Sequence, residues 1–588
     1  MTIAQVDVLI VGGGPVGLIT GTLKILKEQL AHELAYSLAR FGIKNIHVIE
    51  RYPKSTQAAF GRAITFWPRS IELLDQLGLF TTLAQTAFVC RRSVTFDSQG
   101  KRVEGRGWSF LQDIKGTYLD FAMVIRQKYT EAHLRDELAK LGVSVDVPAE
   151  LVSYRVSDGS EYPIEAKIVK YDDTHSFQCK YLIGADGARS TVRELAGIEL
   201  DSTSSVDKWV RIDGLLTTDV PADVARSYIA FESPTHGNVL WAPLDHGTTR
   251  IGYAYTPERE AKYPMGEFTQ ETAVKEAIEA CKPFNVKFDR VDWHTIYSIR
   301  QCVAQTLVTN GGRVLIAGDS AHQHSSAAAQ GQNQGLHDAC NLSWKLALVL
   351  KGYASPSILE TYTEERLPVA RELIRYDRDV AALMSCRIPE GYDPKRDVND
   401  ILGEIFDTAK GFNTGLGIEY PASGSLTGEV TNFSGAQPGQ RAPDIKVMCP
   451  GSGDIIRLIT LMPNFGRFHI VIFAGKPTES SNASIASLLK YFSSSKLGKR
   501  SDLFSFLTLS VFHPPGTYNI YETLNGEGIG RTYFDVDGSG HERYGISKDL
   551  DEAIVFLVRP DGWTGWVGNA SGVLKGGLGS FVEKSLKI

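Results

Sequence analysis

The chain has 588 residues, of which 43% are hydrophobic and 22% charged, a composition that excludes global disorder. Its formal net charge of −6 is too small to direct it to nucleic acid or to a membrane surface. The sequence also lacks the run of about 18 apolar residues that predicts a membrane-spanning helix. Seven cysteines are scattered without CxxC spacing, so we expect no disulfide framework, a reducing compartment and a cytoplasmic protein.

The first predicted element is a buried parallel strand at residues 6–11, a nearly uninterrupted apolar and mostly β-branched run. It runs into Gly12, Gly14 and Gly17, which are spaced as GxGxxG before a predicted helix. Glycines at this spacing allow a tight turn and let the backbone approach a pyrophosphate, whose charge the helix N-terminus stabilises. The pattern therefore predicts dinucleotide binding, with an ordinary glycine-rich turn as the alternative.

A dinucleotide-binding fold needs an acidic residue at the end of its second strand, about 20 residues after the glycines, to hold the adenosine ribose. The candidate is Glu50, but it follows Gly17 by 33 residues. Removing residues 21–34 restores the helix pattern GLxxAxxLxxxG and shortens this spacing to 19, so we interpret residues 21–34 as an insertion. Such a segment must loop out or shift the helix. A gene-model error, such as an unspliced intron, and a tolerated surface excursion are the two explanations.

Two later segments share one form, a buried strand that ends at an aspartate beside a glycine. The first covers residues 181–193, with Asp186 in its Asp–Gly pair, and the second covers residues 313–322, with Asp319 in its Gly–Asp pair. An aspartate at such a strand end can accept a hydrogen bond from a sugar or ribityl hydroxyl. Simple turn formation after a strand is the alternative for each aspartate.

The second of these segments continues into a glycine-containing loop and an amphipathic helix at residues 336–350. The loop contains Gly331, which permits close approach of the backbone to a flat ring, and Asn333. The N-terminus of the following helix would stabilise negative charge on that ring, such as the charge of a reduced flavin.

In this order, the three motifs resemble those of the FAD-dependent aromatic hydroxylases, the single-component flavoprotein monooxygenases, over residues 1 to about 400. The resemblance implies FAD as cofactor, NAD(P)H and dioxygen as co-substrates, and hydroxylation of a phenolic or related aromatic compound. It also implies site residues: Gly12, Gly14 and Gly17 at the pyrophosphate, Glu50 at the adenosine ribose, Asp319 at the ribityl chain, Arg62, Gln127 and Gly331 around the flavin ring, Asn333 at the cofactor, Asp186 between the cofactor and nicotinamide sites, and Tyr297 at the substrate.

Arg62 and Tyr297 are the candidates for catalytic residues under this resemblance. The alternatives are a solvated surface charge for Arg62 and a half-buried strand aromatic for Tyr297. His322 and His324 lack a carboxylate or cysteine that would complete a ligand set, so no metal is expected.

The resemblance implies an α/β fold with three domains. A Rossmann-like FAD-binding domain is discontinuous, at residues 1–205 and 301–405, and a β-sheet substrate domain at 206–300 is inserted into it. A linker at 406–434, rich in Gly, Ser and Thr, precedes a thioredoxin-like domain at 435–588, which resembles that of phenol 2-monooxygenase. Because thioredoxin chemistry needs CxxC, this domain is expected to serve structure or dimerisation in a homodimer.

Three residues depart from the phenol hydroxylase pattern. Ile64 stands where that enzyme has an acidic residue, and Ser326 and Ala329 stand where it has a proline and a glycine near the flavin. Simple phenol is therefore not the expected substrate, and the base is unassigned. The alternatives are an FAD enzyme that carries out Baeyer–Villiger or decarboxylating oxidation, and a flavin-fold protein impaired by the insertion at residues 21–34.

Overall fold

The computed structural model of the chain describes residues 4–12, 27–53, 63–224, 226–423, 425–432, 435–511 and 530–588. Twelve helices of these segments are labelled: α1 (Lys27–Arg40), α2 (Pro68–Gln76), α3 (Phe80–Thr86), α4 (Gln127–Lys140), α5 (Thr191–Leu195), α6 (Pro257–Lys262), α7 (Gln270–Ala280), α8 (Gly331–Leu350), α9 (Glu360–Met384), α10 (Val398–Thr408), α11 (Lys410–Thr414) and α12 (Glu479–Ser494). Within the described segments, no helix is both long enough and apolar enough to cross a bilayer.

The first sheet has eight strands, and a parallel core forms its centre. Its strands are β1 (Ala4–Gly12), β2 (Ile46–Glu50), β8 (Val145–Asp146), β9 (Glu150–Val156), β10 (Ile164–Lys170), β11 (Asp173–Ala185), β17 (Val308–Thr309) and β18 (Val314–Ile316). The order β18-β11-β1-β2-β8 is parallel throughout, while β9, β10 and β17 pair antiparallel. Residues 8–11 of β1 form an uninterrupted apolar run because both faces are buried, since helices α1 and α8 belong to the same core.

The second sheet also has eight strands and forms the separate substrate-side layer. Its strands are β5 (Ser93–Phe96), β6 (Arg102–Val103), β12 (Leu200–Thr218), β13 (Tyr228–Ser233), β14 (Gly237–Pro243), β15 (Thr248–Ala254), β16 (Val286–Ala304) and β19 (His322–Gln323), in the order β19-β16-β12-β15-β14-β13-β5-β6. One face packs on α7 around Val210 and Ile212. Because side chains alternate along a strand, Trp209 and Arg211 of β12 point to the opposite face. The sheet includes strands before residue 206, and the domain boundaries at 205 and 300 stay predictions.

A small third sheet consists of β3 (Thr65–Phe66), β4 (Phe88–Cys90) and β7 (Ala122–Val124). The C-terminal sheet has seven strands: β20 (Lys446–Met448), β21 (Ile455–Arg457), β22 (Phe468–Gly475), β23 (Phe504–Val511), β24 (Arg531–Asp535), β25 (Ile554–Val558) and β26 (Thr564–Asn569). Three short helices follow β24 and β26, at Ser539–Arg543, Ala570–Leu574 and Gly577–Glu583. The parallel unit β22-α12-β23 and the hairpin β25-β26 give the thioredoxin-like arrangement that the sequence predicts.

The second half of the proposed insertion is helical. Helix α1 begins at Lys27, and its residues Leu30, Ala31 and Leu34 are buried. A Cβ atom on Gly12 would lie 3.1 Å from the Cβ of Ala31, so the helix packs closely on the end of β1. Of the two expected outcomes, residues 27–34 therefore show the shifted helix. Residues 13–26, which include Gly14 and Gly17, lie outside the described residues.

A buried ionic network joins the C-terminal unit to helices α8 and α9. Glu365 of α9 accepts hydrogen bonds from both terminal nitrogens of Arg559, at 2.6 and 2.8 Å, and from Lys345 Nζ of α8 at 2.8 Å. Arg559 also binds Asp561 at 2.6 Å, and all four side chains have no exposed area. Tyr420 of the predicted linker packs here as well, since it stacks on Trp563 with ring centroids 4.8 Å apart. The C-terminal unit therefore packs closely against helices α8 and α9.

Asp444, where the C-terminal unit begins, gives a pH-dependent prediction. Burial raises the pKa of Asp444 to about 6, and the nearby Glu72 adds to this effect. Because the pKa in the folded chain exceeds the ordinary value of 3.8, the stability linked to this group is present below about pH 4 and lost as the pH rises through 6. We expect Asp444→Asn to raise the free energy of unfolding by up to about 3 kcal/mol at pH 8 and to have little effect near pH 4. Thermal unfolding at both pH values checks this, and an equal shift at both would contradict it.

Candidate active site

The carboxyl ends of the parallel strands bring the predicted cofactor residues to one edge of the first sheet. In register, Gly12 at the end of β1 pairs with Glu50 at the end of β2 and with Ala185 at the end of β11. Asp186 follows β11 directly, and Asp319 lies three residues after the end of β18. An open α/β sheet binds its ligand along this edge, because the loops after its parallel strands meet there.

Glu50 is buried beside the start of the glycine loop. A Cβ atom on Gly12 would lie 3.7 Å from Glu50 Oε2, and Glu50 Oε1 accepts a hydrogen bond from the backbone N–H of Tyr52 at 3.1 Å. The carboxylate is thus held at the strand end, the position predicted for ribose binding. Arg62, like Gly14 and Gly17, lies outside the described residues, so its roles in catalysis and cofactor binding stay predictions.

Asp186 joins its own motif to the Gly–Asp motif. Its carboxylate accepts hydrogen bonds from the Ser190 hydroxyl, from the Ser320 hydroxyl at 3.1 Å and from the backbone N–H of Val192 at 3.1 Å. Ser320 Oγ in turn accepts a hydrogen bond from the backbone N–H of Gly187 at 2.7 Å. Within the chain, Asp186 therefore fixes the start of α5 against the turn that carries Asp319. Its contact with a cofactor or nicotinamide stays a prediction.

A side chain of α8, Asp338, fixes the turn that carries Asp319. Asp338 Oδ2 accepts hydrogen bonds from the backbone N–H of Gly318 at 3.0 Å and contacts His322 Nε2 at 2.8 Å, while Oδ1 binds Arg366 at 2.7 Å. Burial would raise the pKa of Asp338, but Arg366 and His322 outweigh this effect and lower it below its ordinary value. The buried carboxylate is therefore ionised. Asp338 and Arg366 were missed in the sequence because neither stands in a recognisable motif.

Gln127 and Asn333 form hydrogen bonds with the backbone of neighbouring segments. Gln127, at the first turn of α4, accepts a hydrogen bond from the backbone N–H of Ala63 at 3.4 Å and donates to Glu131 at 2.6 Å. The Asn333 amide donates to the carbonyls of Thr65 at 3.0 Å and Ala329 at 2.7 Å, and its oxygen accepts from Trp67 N–H at 2.8 Å. Asn333 thereby fixes the start of α8 against β3. Direct contact of either side chain with a cofactor stays a prediction.

A cavity opens between the start of α8 and the second sheet, and about 950 Å³ of space lies within it and in the open solvent at its entrance. It brings together three predicted residues, Asp319, Gly331 and Tyr297, whereas Glu50, Gln127, Asp186 and Asn333 do not line it. The three positions that depart from the phenol hydroxylase pattern also face it: Ile64, Ser326 and Ala329. The side chains that sequence reasoning did not single out include Trp108, Tyr228, Leu240, Arg211 and Arg250.

Tyr297 is a buried residue of β16 that pairs across the sheet with Trp209 of β12. Its hydroxyl is hydrogen-bonded to the hydroxyl of Ser326, which also accepts a hydrogen bond from Arg211 at 3.0 Å. Two further hydroxyls of the lining, those of Tyr228 and Thr65, are 2.5 Å apart. Aromatic faces and a few fixed hydroxyls suit a flat, partly polar ligand. The sequence could have marked Arg211, because an arginine between Val210 and Ile212 interrupts an apolar strand.

These residues fit FAD, with Glu50 and Gly12 at one end of the strand edge and Asp319 and Gly331 beside the cavity. Gly318 requires glycine, since its φ is +59° and an added Cβ would lie 2.4 Å from Leu30 Cδ2. When bound, FAD supplies the redox chemistry with NAD(P)H and dioxygen, and the protein supplies orientation and shelter from water. Of the described residues, no three His, Cys, Asp or Glu side chains are grouped as metal ligands would be.

The comparisons with known proteins agree with this geometry. Residues 5–377 match the FAD binding domain family, and residues 418–587 match the phenol hydroxylase C-terminal dimerisation domain. The FAD-dependent monooxygenase ankC of Aspergillus thermomutatus is 27% identical over 608 residues, covering 97% of this chain and 96% of the relative. The 3-hydroxybenzoate 4-monooxygenase of Comamonas testosteroni is 29% identical over 505 residues, covering 80% of this chain and 75% of the relative.

Among solved structures, the flavin-dependent monooxygenase PieE in complex with FAD and substrate has the same fold, with a TM-score of 0.73, 19% identity and 99% coverage of both chains. The fold, the strand-edge site and the family matches define a flavoprotein with an FAD-binding domain and a phenol hydroxylase-type C-terminal domain. The chain belongs to the FAD-dependent aromatic hydroxylases and is an FAD- and NAD(P)H-dependent monooxygenase, which confirms the family, cofactor and enzyme class predicted from the sequence.

Proposed function

We propose that this monooxygenase hydroxylates a phenolic ring held in the cavity between the start of α8 and the second sheet. The observation that carries the proposal is the shared cavity of Asp319, Gly331 and Tyr297. The first two residues belong to the flavin side under the family resemblance. Tyr297 lies in the substrate wall with aromatic neighbours. A ring in this cavity would be sheltered from water next to the cofactor, as such a reaction requires.

The proposed roles follow the positions of the side chains. Asp319 binds the ribityl chain and Gly331 admits the flavin ring, while Glu50 binds the adenosine ribose. Gln127 holds the segment that follows Arg62, through the backbone of Ala63. Tyr297 and Ser326 offer hydroxyls to the oxygen of the phenol, so they orient the ring. The base that takes the phenolic proton is left unassigned.

The test is NADPH and NADH oxidation by the purified flavoprotein with a panel of substituted phenols, together with mass spectrometry of the products. We expect one group of phenols to accelerate oxidation and to yield products with one added oxygen atom on the ring. Ring-expanded or decarboxylated products would instead support the Baeyer–Villiger or decarboxylating alternative. Oxidation that no phenol accelerates would contradict the proposal.

Tyr297→Phe tests the substrate wall. The substitution removes the hydroxyl that meets Ser326 and keeps the ring that packs on Trp209. We expect KM for the preferred phenol to rise about tenfold, the effect of one lost hydrogen bond of about 1.4 kcal/mol, while FAD content stays unchanged. Steady-state kinetics and the visible spectrum measure the two quantities. Loss of FAD without a change in KM would place Tyr297 in the cofactor site instead.

We also propose that the enzyme works as a cytoplasmic homodimer. The match of residues 418–587 to a dimerisation domain supports self-association through the C-terminal unit. Light scattering on the eluted protein, compared with a chain that ends before residue 418, tests this. A monomer in the full-length sample at micromolar concentration would overturn the proposal.

A further inference from the structure

Arg211 of β12 is a buried cation in the wall of the cavity. Its guanidinium donates hydrogen bonds to the Val210 carbonyl at 3.2 Å and to Ser326 Oγ at 3.0 Å, and it lies 4.9 Å from the centroid of the Trp209 ring. The side chain is 4% exposed, yet no carboxylate of the described residues lies within 4.0 Å of its nitrogens. Three of its five N–H donors have no bond to the described protein, since a guanidinium carries five.

Two other buried guanidiniums, one in the same cavity wall and one beside α8, each bind a carboxylate. Arg250, one strand away in the same wall, donates to both oxygens of Asp213 at 2.7 and 2.8 Å. Arg366 binds Asp338 at 2.7 Å. Asp213 compensates Arg250, whereas Arg211 has no carboxylate of the described residues within 4.0 Å. A buried charge without a counterion is costly, and arginine stays protonated rather than shedding its charge.

The sheet is built to accommodate this side chain. Arg211 pairs across the sheet with Gly252 of β15. A Cβ atom on Gly252 would lie 2.1 Å from Arg211 Nη1, so any other residue there would displace the guanidinium. The guanidinium therefore occupies the space that a side chain at position 252 would fill. No carboxylate of the described residues holds it there. A planar fork of donors in this setting matches a carboxylate, which can accept two parallel hydrogen bonds.

We propose that Arg211 binds a carboxylate of the substrate, so that the preferred substrate is a phenol that carries a carboxylic acid. The inference rests on the proposed function, because it assigns one end of the ligand in the same cavity. Tyr297 and Ser326 lie beside Arg211, which places the acid and the phenolic oxygen at one wall of the cavity. The cofactor side stays open to the ring carbon that reacts.

The test compares binding of 3-hydroxybenzoate and 3-hydroxybenzamide, which have similar shapes and differ in charge. Trp209 and Trp108 are close to the site, so quenching of tryptophan fluorescence reports binding without turnover. We expect the acid to bind at least about tenfold more tightly than the amide. Arg211→Met should remove this difference, and Arg211→Lys should keep part of it. Equal affinities in the native chain would overturn the inference, whatever the variants do.

Thermal unfolding of the ligand-free variants gives an independent reading. Arg211→Met removes a cation without a carboxylate partner, so its unfolding temperature should equal or exceed that of the native chain. Arg250→Met leaves Asp213 buried and unpaired, so its unfolding temperature should fall. If Arg211→Met lowers it as much as Arg250→Met does, Arg211 is structural and the inference fails. Hydroxylation of neutral phenols without preference for the acid would refute this inference but leave the proposed function intact.

Discussion

A chain that lacks residues 21–34 is expected to bind FAD at least about tenfold more tightly than the full chain. In the full chain, Leu30 packs against Gly318 and Ala31 against Gly12, close to the strand edge where the cofactor residues meet. With residues 21–34 removed, Val16 and Gly17 take the places of Leu30 and Ala31 in the helix sequence. The glycine loop would then lead directly into the helix N-terminus, which a pyrophosphate requires.

The measurement is titration of both chains with FAD after removal of any bound flavin, followed by the flavin fluorescence. Asp319→Ala in the shortened chain serves as the control, because it should reverse the gain if FAD occupies the predicted site. Equal affinity in the two chains would show that the inserted segment does not disturb FAD binding. A gain from the deletion, together with a mature transcript that lacks the segment, would identify a gene-model error.

The strand edge could be predicted from the sequence because its signals are local. An apolar run followed by Gly12, Glu50, Asp186 or Asp319 is readable within about ten residues, and parallel strands place their carboxyl ends together. The families matched at residues 5–377 and 418–587 confirm the fold class and the enzyme class that these motifs indicated.

The contacts between residues of the cavity wall could not be predicted, because these residues meet only through distant strand pairing. Arg211 and Ser326 are 115 positions apart, and their bond depends on Gly252, which is on a third segment. Strand β5 likewise joins the substrate-side sheet by pairing with β13, more than 100 residues later in the chain. The alternation of apolar and polar residues shows which face of a strand such a residue lies on, but not which distant residue it contacts. Asp338 was missed because it stands in no recognisable motif, and its partner Arg366 lies on the next helix, α9.

Glu365→Gln is expected to lower the free energy of unfolding by about 3–5 kcal/mol, the usual cost of breaking a buried ion pair. The substitution keeps the shape of the side chain and removes its charge. Lys345 and Arg559 would then share only Asp561 as a counterion, in a region with no exposed side-chain area. Because these residues come from α8, α9 and the turn after β25, the packing between the FAD-binding and C-terminal units should weaken.

Glu364→Gln is the matched control, since the neighbouring glutamate on the same helix is exposed and its loss should change stability by less than about 0.5 kcal/mol. The pH dependence of the stability difference distinguishes the loss of the Glu365 charge from a change in packing. Burial would raise the pKa of Glu365, but Arg559 and Lys345 outweigh this effect and lower it to about 2. The stabilisation is therefore present above the ordinary value of 4.5 and lost as the pH falls toward 2. The gap between native chain and Glu365→Gln should narrow from about pH 6 to pH 3, and a constant gap would assign the effect to packing.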